Sequence, residues 1–184
     1  MNEQTPSNDS IPEDGSKPGG EVEGAATVAR ELLKGQDISP EAMESAVRTL
    51  ASEFHEDWRK TRLNEDGSFE PREKQTTDGD WIKGHGTNVV DIANTSYDDL
   101  PSDWQAENKA AADVVVGIMV EHGGKIDLSD EEMRDQVGDT VHQAWLSRNE
   151  WAKGGDLDKP FADLPEDEQL KDLSQVQIAL GLFS

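Results

Sequence analysis

One ordered set of residues occurs twice in this chain of 184 residues, and it constrains the fold more than any other feature. His55-Glu56-Asp57-Trp58 is matched by His142-Gln143-Ala144-Trp145 at a spacing of 87 residues. Tyr97-Asp98-Asp99-Leu100-Pro101 is matched by Phe161-Ala162-Asp163-Leu164-Pro165 at a spacing of 64, so the first copy has 23 additional loop residues. Histidine and tryptophan three positions apart stack on one helix face, and proline suits the first turn of a following helix. The pattern predicts two helix–loop–helix units around one shared core, with the aspartate before each Leu-Pro capping the next helix.

Apolar residues at helical spacing predict five helices and at most two short strands. The predicted helices are Glu21–Lys34, a helix from the N-cap Ser39 to about Arg62, a helix opened by the capping box Ser102-x-x-Gln105, a helix opened by Ser129-x-x-Glu132, and a last helix that starts near Pro165. Turn formers dominate between Leu63 and Ser96, where Val89–Ile92 is the one strand-like run. The predicted fold class is mainly α, with at most a short β-hairpin in the long loop of the first unit.

Composition divides the chain into a tail and two units. Residues 1–24 are poor in large apolar side chains, which predicts a disordered acidic tail. The first unit and its preceding helix then cover residues 25–124, and the shorter second unit covers residues 125–184. The chain has no cysteine, no apolar run of membrane length, and no basic and apolar regions of a signal peptide at its N-terminus. We therefore expect a cytoplasmic protein.

The charge of the chain is strongly negative. Forty acidic residues against seventeen lysines and arginines give a net charge of −23. Such a charge repels phosphate backbones, so direct binding to DNA or RNA is not expected. Three interpretations of the acidity stay open: a surface kept soluble by charge, which we favour, adaptation to high salt, and mimicry of nucleic acid toward a basic partner.

The repeated residues resemble the ryanodine-receptor repeat family, or RyR domain. In that family a helix carries a His-Glu pair and an aromatic residue, a loop carries a hairpin tryptophan, and an aromatic residue precedes Leu-Pro and a helix with an asparagine. The first copy resembles this pattern at His55-Glu56, Trp58, Trp81, Tyr97 and Asn108. The second copy keeps the structural residues of the repeat, which are His142, Trp145, Phe161, Leu164 and Pro165, and lacks the hairpin tryptophan.

The resemblance covers about residues 39–183 and implies tandem divergent copies of the domain, as found in bacterial and phage proteins. It also implies sensing of nucleotide-derived ligands in the conflict between phage and host. Because the first copy keeps more of the family's polar residues, ligand binding is expected there, with the second copy as its scaffold. The candidate ligand-binding residues are His55, Trp58, Arg59, Arg62, Trp81, Tyr97 and Asn108.

Each of these residues also has a structural interpretation. The two repeat histidines either bind a ligand or tie a helix to a loop carbonyl, and we favour the tie. The spacing of the two repeat tryptophans favours core packing over ligand binding. Trp81 stands in a polar glycine-rich loop, where stacking on a base and simple anchoring are equally compatible with the sequence.

Two further features of the long loop suit an anion. Six basic residues fall within Arg59–Lys83, where a local cationic patch would attract an anion, unless these residues only pair with neighbouring acids. Gly84–Asn88 offers backbone donors to a phosphate, although a flexible turn is the simpler interpretation.

Catalysis has little support in the sequence. Neither a Ser/His/Asp order nor the spacing of a metalloprotease or calcium loop is present. We expect a non-enzymatic module without cofactor or metal that senses or sequesters a nucleotide-derived anion. The alternative is an acidic protein-interaction module, such as a DNA-mimicking inhibitor of a basic partner. Membrane binding is not expected, and formation of a homodimer is left open.

Overall fold

The computed structural model describes residues 39–183, and these are mainly helical, as predicted. The helices are α1 (Pro40–Lys60), α2 (Gly79–His85), α3 (Ser102–Glu121), α4 (Glu131–Arg148) and α5 (Glu166–Leu182). Short 3-10 helices cover Tyr97–Asp99, Glu150–Ala152 and Phe161–Asp163. The predicted tail 1–24 and the predicted helix Glu21–Lys34 lie outside the described residues.

The predicted hairpin is present in the long loop of the first unit. Strand β1 (Glu73–Gln75) pairs antiparallel with β2 (Val89–Asp91), with Lys74 opposite Val90. Val90 is buried, so the hairpin adds one branched side chain to the helical core. Helix α2 connects the two strands, and Gly86 ends it in a left-handed conformation at φ 70° while donating its N–H to the Ile82 carbonyl. Gly84–Asn88 is therefore a helix end and turn, which agrees with the simpler of its two interpretations.

One predicted helix cap is confirmed, and the others are wrong. Ser39 caps α1 as predicted and accepts a hydrogen bond from the Ala42 N–H. The residue that caps α4 is Asp130, which accepts from the Met133 N–H, so the predicted capping box at Ser129 is wrong. No side chain of its own segment caps α3, because Pro101 occupies the cap position; the prediction at Ser102 is wrong as well. The aspartates before Leu-Pro do not cap either, since Pro101 and Pro165 hold that position in the two units.

Both units contribute to one hydrophobic core, as the repeat predicts. Helix α1 packs on α3 and α5, and α3 also packs on α4 and α5. All four long helices contribute deeply buried residues to this core: Ala46, Leu50, Ala51, Ala112, Val115, Val116, Val137, Val176 and Ala179. A smaller cluster of Phe161, Leu164 and Leu173 lies within the second unit. Within residues 39–183, no helix has the length and apolar character needed to cross a membrane.

Candidate functional site

The two repeat histidines occupy matching positions and make matching hydrogen bonds. His55 and His142 are each only 3% exposed. Nε2 of His55 lies 2.9 Å from the Thr95 carbonyl oxygen, and Nε2 of His142 lies 2.9 Å from the Leu157 carbonyl oxygen. Both histidines therefore tie a helix to a loop carbonyl, which confirms the favoured interpretation. Because a carbonyl oxygen only accepts, Nε2 carries a hydrogen in both rings, and Nδ1 is the bare nitrogen of a neutral ring.

The surroundings of the two histidines are also alike. His55 stacks on Trp58 with ring centroids 5.9 Å apart, and His142 stacks on Trp145 at 6.0 Å. A pair of glutamines extends the match beyond the residues that define the repeat. Gln105 donates to the carbonyls of Tyr97 and Asp98, and Gln169 donates to those of Ala162 and Leu164. The residues that recur in the sequence therefore also make corresponding contacts in the two units.

A groove of about 510 Å³ lies between the two units, beside His55. Its walls come from α1, α3, α4 and α5. The aromatic and polar residues that line it are His55, Asp57, Trp58, Thr61, Trp104, Glu107, Asn108, Trp145, Arg148, Lys171, Ser174 and Gln175. Three indole rings and groups of both charge signs therefore face one opening.

A second cavity of about 270 Å³ adjoins His142. It is lined by His142, Trp145, Leu157, Glu168, Lys171, Asp172 and Gln175. Four of these residues stand 64 positions after residues that line the groove, in the order Trp104, Glu107, Asn108 and Ala111. Each unit thus presents a cavity beside its histidine, and the groove is the larger because the second unit also contributes to it.

The two cavities differ beside the histidine. In the second unit, Nδ1 of His142 lies 3.2 Å from Oδ2 of Asp172. Burial raises the pKa of the Asp172 carboxyl to about 6, against the opposing attraction of His142. Since Nε2 of His142 already donates to a carbonyl, the contact with Asp172 requires one proton between Nδ1 and the carboxyl oxygen. The pair therefore has no net charge, whichever of the two atoms holds the proton.

In the first unit, Asn108 stands where the second has Asp172, and its Nδ2 donates to the Trp104 carbonyl. Burial lowers the pKa of His55, while the Thr95 carbonyl and Glu56 raise it and Arg59 lowers it. No described residue hydrogen-bonds to Nδ1 of His55.

One guanidinium in the groove also has an unused donor. Nε of Arg148 is buried without a hydrogen-bond partner among the described residues, although Nη1 donates to the Ala144 carbonyl at 2.9 Å. Nε of Arg62 is likewise buried and unpaired, but Arg62 lies outside the groove, over the Trp58 ring and 3.6 Å from Glu70. Buried polar atoms in folded proteins are nearly always paired, so Arg148 Nε is an exception, and Nδ1 of His55 is a second nitrogen without a hydrogen-bond partner among the described residues.

The structure brings three of the predicted ligand-binding residues together in the groove, namely His55, Trp58 and Asn108. Arg59 lies apart and makes other contacts: it donates to Glu56 and to the Ala93 carbonyl, and its guanidinium lies 4.4 Å from the centre of the Phe69 ring. Its engagement agrees with the alternative in which these basic residues pair with neighbouring acids.

Trp81 and Tyr97 do not line the groove either. Trp81 lies on α2 rather than in an open loop, packs against the hydrophobic core, and stacks on His85 with ring centroids 4.0 Å apart. These contacts fit the anchoring interpretation of Trp81. Tyr97 is buried beside His55 and borders a separate shallow cavity of about 360 Å³.

Sequence reasoning missed the contribution of the second unit to the groove. Trp145, Arg148 and Lys171 line it together with the first unit, whereas the sequence suggests only a scaffold role for the second unit. The signal that could have found part of them is the repeat itself. If the His-Trp face of the first unit is expected to border a cavity, the same is expected of the second unit. Trp145 occupies the position in the second unit that Trp58 occupies in the first.

No group of three or more histidine, aspartate or glutamate side chains in residues 39–183 is arranged to hold a metal ion. Comparisons of the chain with protein-family models, with curated proteins and with solved structures find no match. The resemblance to the RyR domain therefore stays a prediction.

Proposed function

We propose that this chain is a non-enzymatic binding module of the tandem RyR type, and that it binds a nucleotide-derived anion in the groove between its two units. The observation that carries this proposal is that His55 Nδ1 has no hydrogen-bond partner among the described residues, in a groove that the Arg148 side chain also lines. A ligand with oxygen atoms suits this arrangement, because the Arg148 guanidinium can donate to it and His55 can share a proton with it.

The shape and lining of the groove suit a base attached to an anionic group. Its volume of about 510 Å³ lies in the range of small-molecule sites, which are mostly apolar with a few placed polar groups. Trp58, Trp104 and Trp145 contribute indole surface to the groove, and contact with aromatic side chains is a common way for proteins to hold a base.

The charges of the groove are balanced in a chain that is otherwise strongly acidic. Asp57 and Glu107 are offset by Arg148 and Lys171, although Lys171 also pairs with Glu168 at 2.6 Å. The whole chain has a net charge of −23, whereas an anion in the groove would lie near two cationic side chains, Arg148 and Lys171. The sequence had suggested the long loop of the first unit for this role, and the proposal moves the site to the groove.

The test is ligand binding by the full chain, measured by isothermal titration calorimetry and by the melting temperature with AMP, cyclic AMP and GMP. A ligand that binds only the folded state raises the melting temperature. We expect Arg148→Gln to weaken binding by about tenfold, because one charge-assisted hydrogen bond is lost.

The matched control is Arg72→Gln, which removes the same charge from an exposed residue outside the groove and is expected to leave binding unchanged. If none of the three nucleotides binds the wild-type chain, the proposed function is wrong. Equal weakening by both variants would show that only the overall charge matters, and it would remove the groove from the proposal.

A further inference from the structure

The two units differ in one group that touches the histidine, and the second unit shows what the first one lacks. Asp172 supplies a carboxyl oxygen 3.2 Å from Nδ1 of His142. At the matching position, Asn108 uses its amide to bind the Trp104 carbonyl and gives His55 no hydrogen bond. The second unit therefore fills the position beside Nδ1 of its histidine with its own carboxyl group. In the first unit the corresponding position opens onto the groove.

We propose that the first unit binds its ligand through an anionic oxygen at Nδ1 of His55, in the place that Oδ2 of Asp172 takes at His142. The oxygen belongs to a phosphate or carboxylate group of the ligand. This inference rests on the proposed function for the position of the site and adds the contact by which the ligand is recognised. It also assigns a role to Asn108, which keeps this position free of an internal carboxylate.

The contact requires a proton. His55 is buried and its Nε2 hydrogen is bound to the Thr95 carbonyl, so the neutral ring has no hydrogen at Nδ1. An anionic oxygen can form a hydrogen bond there once Nδ1 takes up one proton from the solvent. The result is an imidazolium that donates to Thr95 through Nε2 and to the ligand through Nδ1, with no other bond made or broken.

The charged groups around His55 come from four helices. Glu56, Asp57 and Arg59 lie on α1, and Glu107 lies on α3 beside Asn108. The cations of the second unit that face the same groove are Arg148 on α4 and Lys171 on α5. Both carboxylate oxygens of Glu56 accept hydrogen bonds from Arg59, so that pair contributes little net charge. An imidazolium at His55 would therefore be stabilised chiefly by the ligand anion, which links protonation to binding.

The first experiment uses the wild-type chain, with AMP and inorganic phosphate as probes. The histidine rings are followed by NMR through a pH titration with and without each probe, which reports the pKa of His55 directly. We expect the pKa of His55 to rise on binding, whereas the NMR signals of the His85 ring, which lies outside the groove, should be the same with and without the probes. Calorimetry at about pH 7.5 in buffers of different ionisation enthalpy should show net proton uptake.

The second experiment places the missing carboxylate in the first unit. Asn108→Asp should raise the pKa of His55 without any ligand and should weaken binding of AMP by about tenfold or more, because the internal carboxylate repels the ligand anion. The matched control is Asn88→Asp, which adds the same charge on an exposed turn outside the groove and is expected to change neither quantity.

The outcomes separate this inference from the proposed function. If AMP binds in the groove but the pKa of His55 does not move, the proposed function stands and the inference is wrong. The same holds if Asn108→Asp binds AMP as tightly as the wild type. If neither probe binds the wild-type chain, the inference is wrong, and the proposed function is wrong as well if cyclic AMP and GMP also fail to bind. Should Asn108→Asp fail to fold, the titration of wild-type His55 with the probes still decides.

Discussion

At the scale of single residues, Gly138 of α4 lies directly against the ring of Phe161, which belongs to the 3-10 helix Phe161–Asp163. A Cβ at this position would lie 2.4 Å from Cζ of Phe161, whose side chain is fully buried. The ring has no room to move away, because it is packed within the core of the second unit. The first unit has Ala51 at the matching place, so the two units pack their aromatic residue differently.

We therefore expect Gly138→Ala to destabilise the protein by about 1–3 kcal/mol, the usual range for overpacking a core. This loss should outweigh the gain in helix propensity, which is about 1 kcal/mol for replacing glycine by alanine. The control is Gly117→Ala in α3, where no atom lies within 4 Å of the added Cβ, and which should stabilise the protein. Urea unfolding of both variants measures the difference; a Gly138→Ala protein as stable as the Gly117→Ala protein would contradict the packing described.

The sequence was a good guide to which residues matter and a poorer guide to what each one contacts. The pattern of the repeat predicted that both histidines tie a helix to a loop carbonyl, and His55 and His142 do so. The pattern could not predict that Asp172 binds Nδ1 of His142, because the two residues are 30 positions apart on different helices. Such a contact depends on how α4 packs on α5, and local periodicity does not contain that information.

At the scale of elements, Asp78 joins two helices through one carboxylate. Its oxygens accept hydrogen bonds from the N–H groups of Asp80 and Trp81 at the start of α2, and from that of Ser102 at the start of α3. The backbone hydrogen bonds from Trp81 and Ser102 lower the pKa of Asp78 to about 2. The cap of α3 thus comes from 24 residues away, which explains why a local capping box at Ser102 was the wrong prediction.

Replacing this carboxylate should weaken both helix starts. We expect Asp78→Ala to lower the melting temperature at pH 7, because several backbone N–H groups lose their acceptor. Since the pKa of Asp78 is lowered by folding, its contribution is complete above about pH 4 and is lost as the pH falls through about 2. The gap in melting temperature between wild type and variant should therefore narrow from pH 7 to about pH 3.

The control for this prediction is Asp113→Ala, which removes an exposed carboxylate from the middle of α3. It should cause no comparable loss at pH 7. A gap between wild type and Asp78→Ala that widens toward acid pH would contradict the role of the ionised carboxylate.

At the scale of the whole molecule, the mainly helical fold, the hairpin and the shared core were all predictable from the repeat and the apolar spacing. Helix α2 was not, because Gly79–His85 has too few apolar residues to show a helical period and forms only where Asp78 and the core hold it. The groove could not be predicted either. It exists because α1 and α3 of one unit face α4 and α5 of the other, and the relative placement of two units is not encoded in either one alone.

The net charge of −23 acts on the molecule as a whole and sets the last prediction. Ion pairs do little to offset it, because described pairs such as Arg48–Asp98 and Lys153–Glu150 are largely exposed and pairs of this kind contribute little. Salt weakens these attractions but also screens the repulsion among the excess acids, and with forty acidic residues against seventeen basic ones the second effect is the larger. We expect the melting temperature to rise steeply between about 10 and 300 mM NaCl, where the screening length shortens most, and to flatten above that.

Calorimetric scans across this series, with sucrose as an uncharged co-solute control, measure the effect. A melting temperature that falls with salt would mean that the acidic side chains are held in stabilising ion pairs, whereas a linear rise up to molar salt would indicate exclusion of salt from the surface rather than screening.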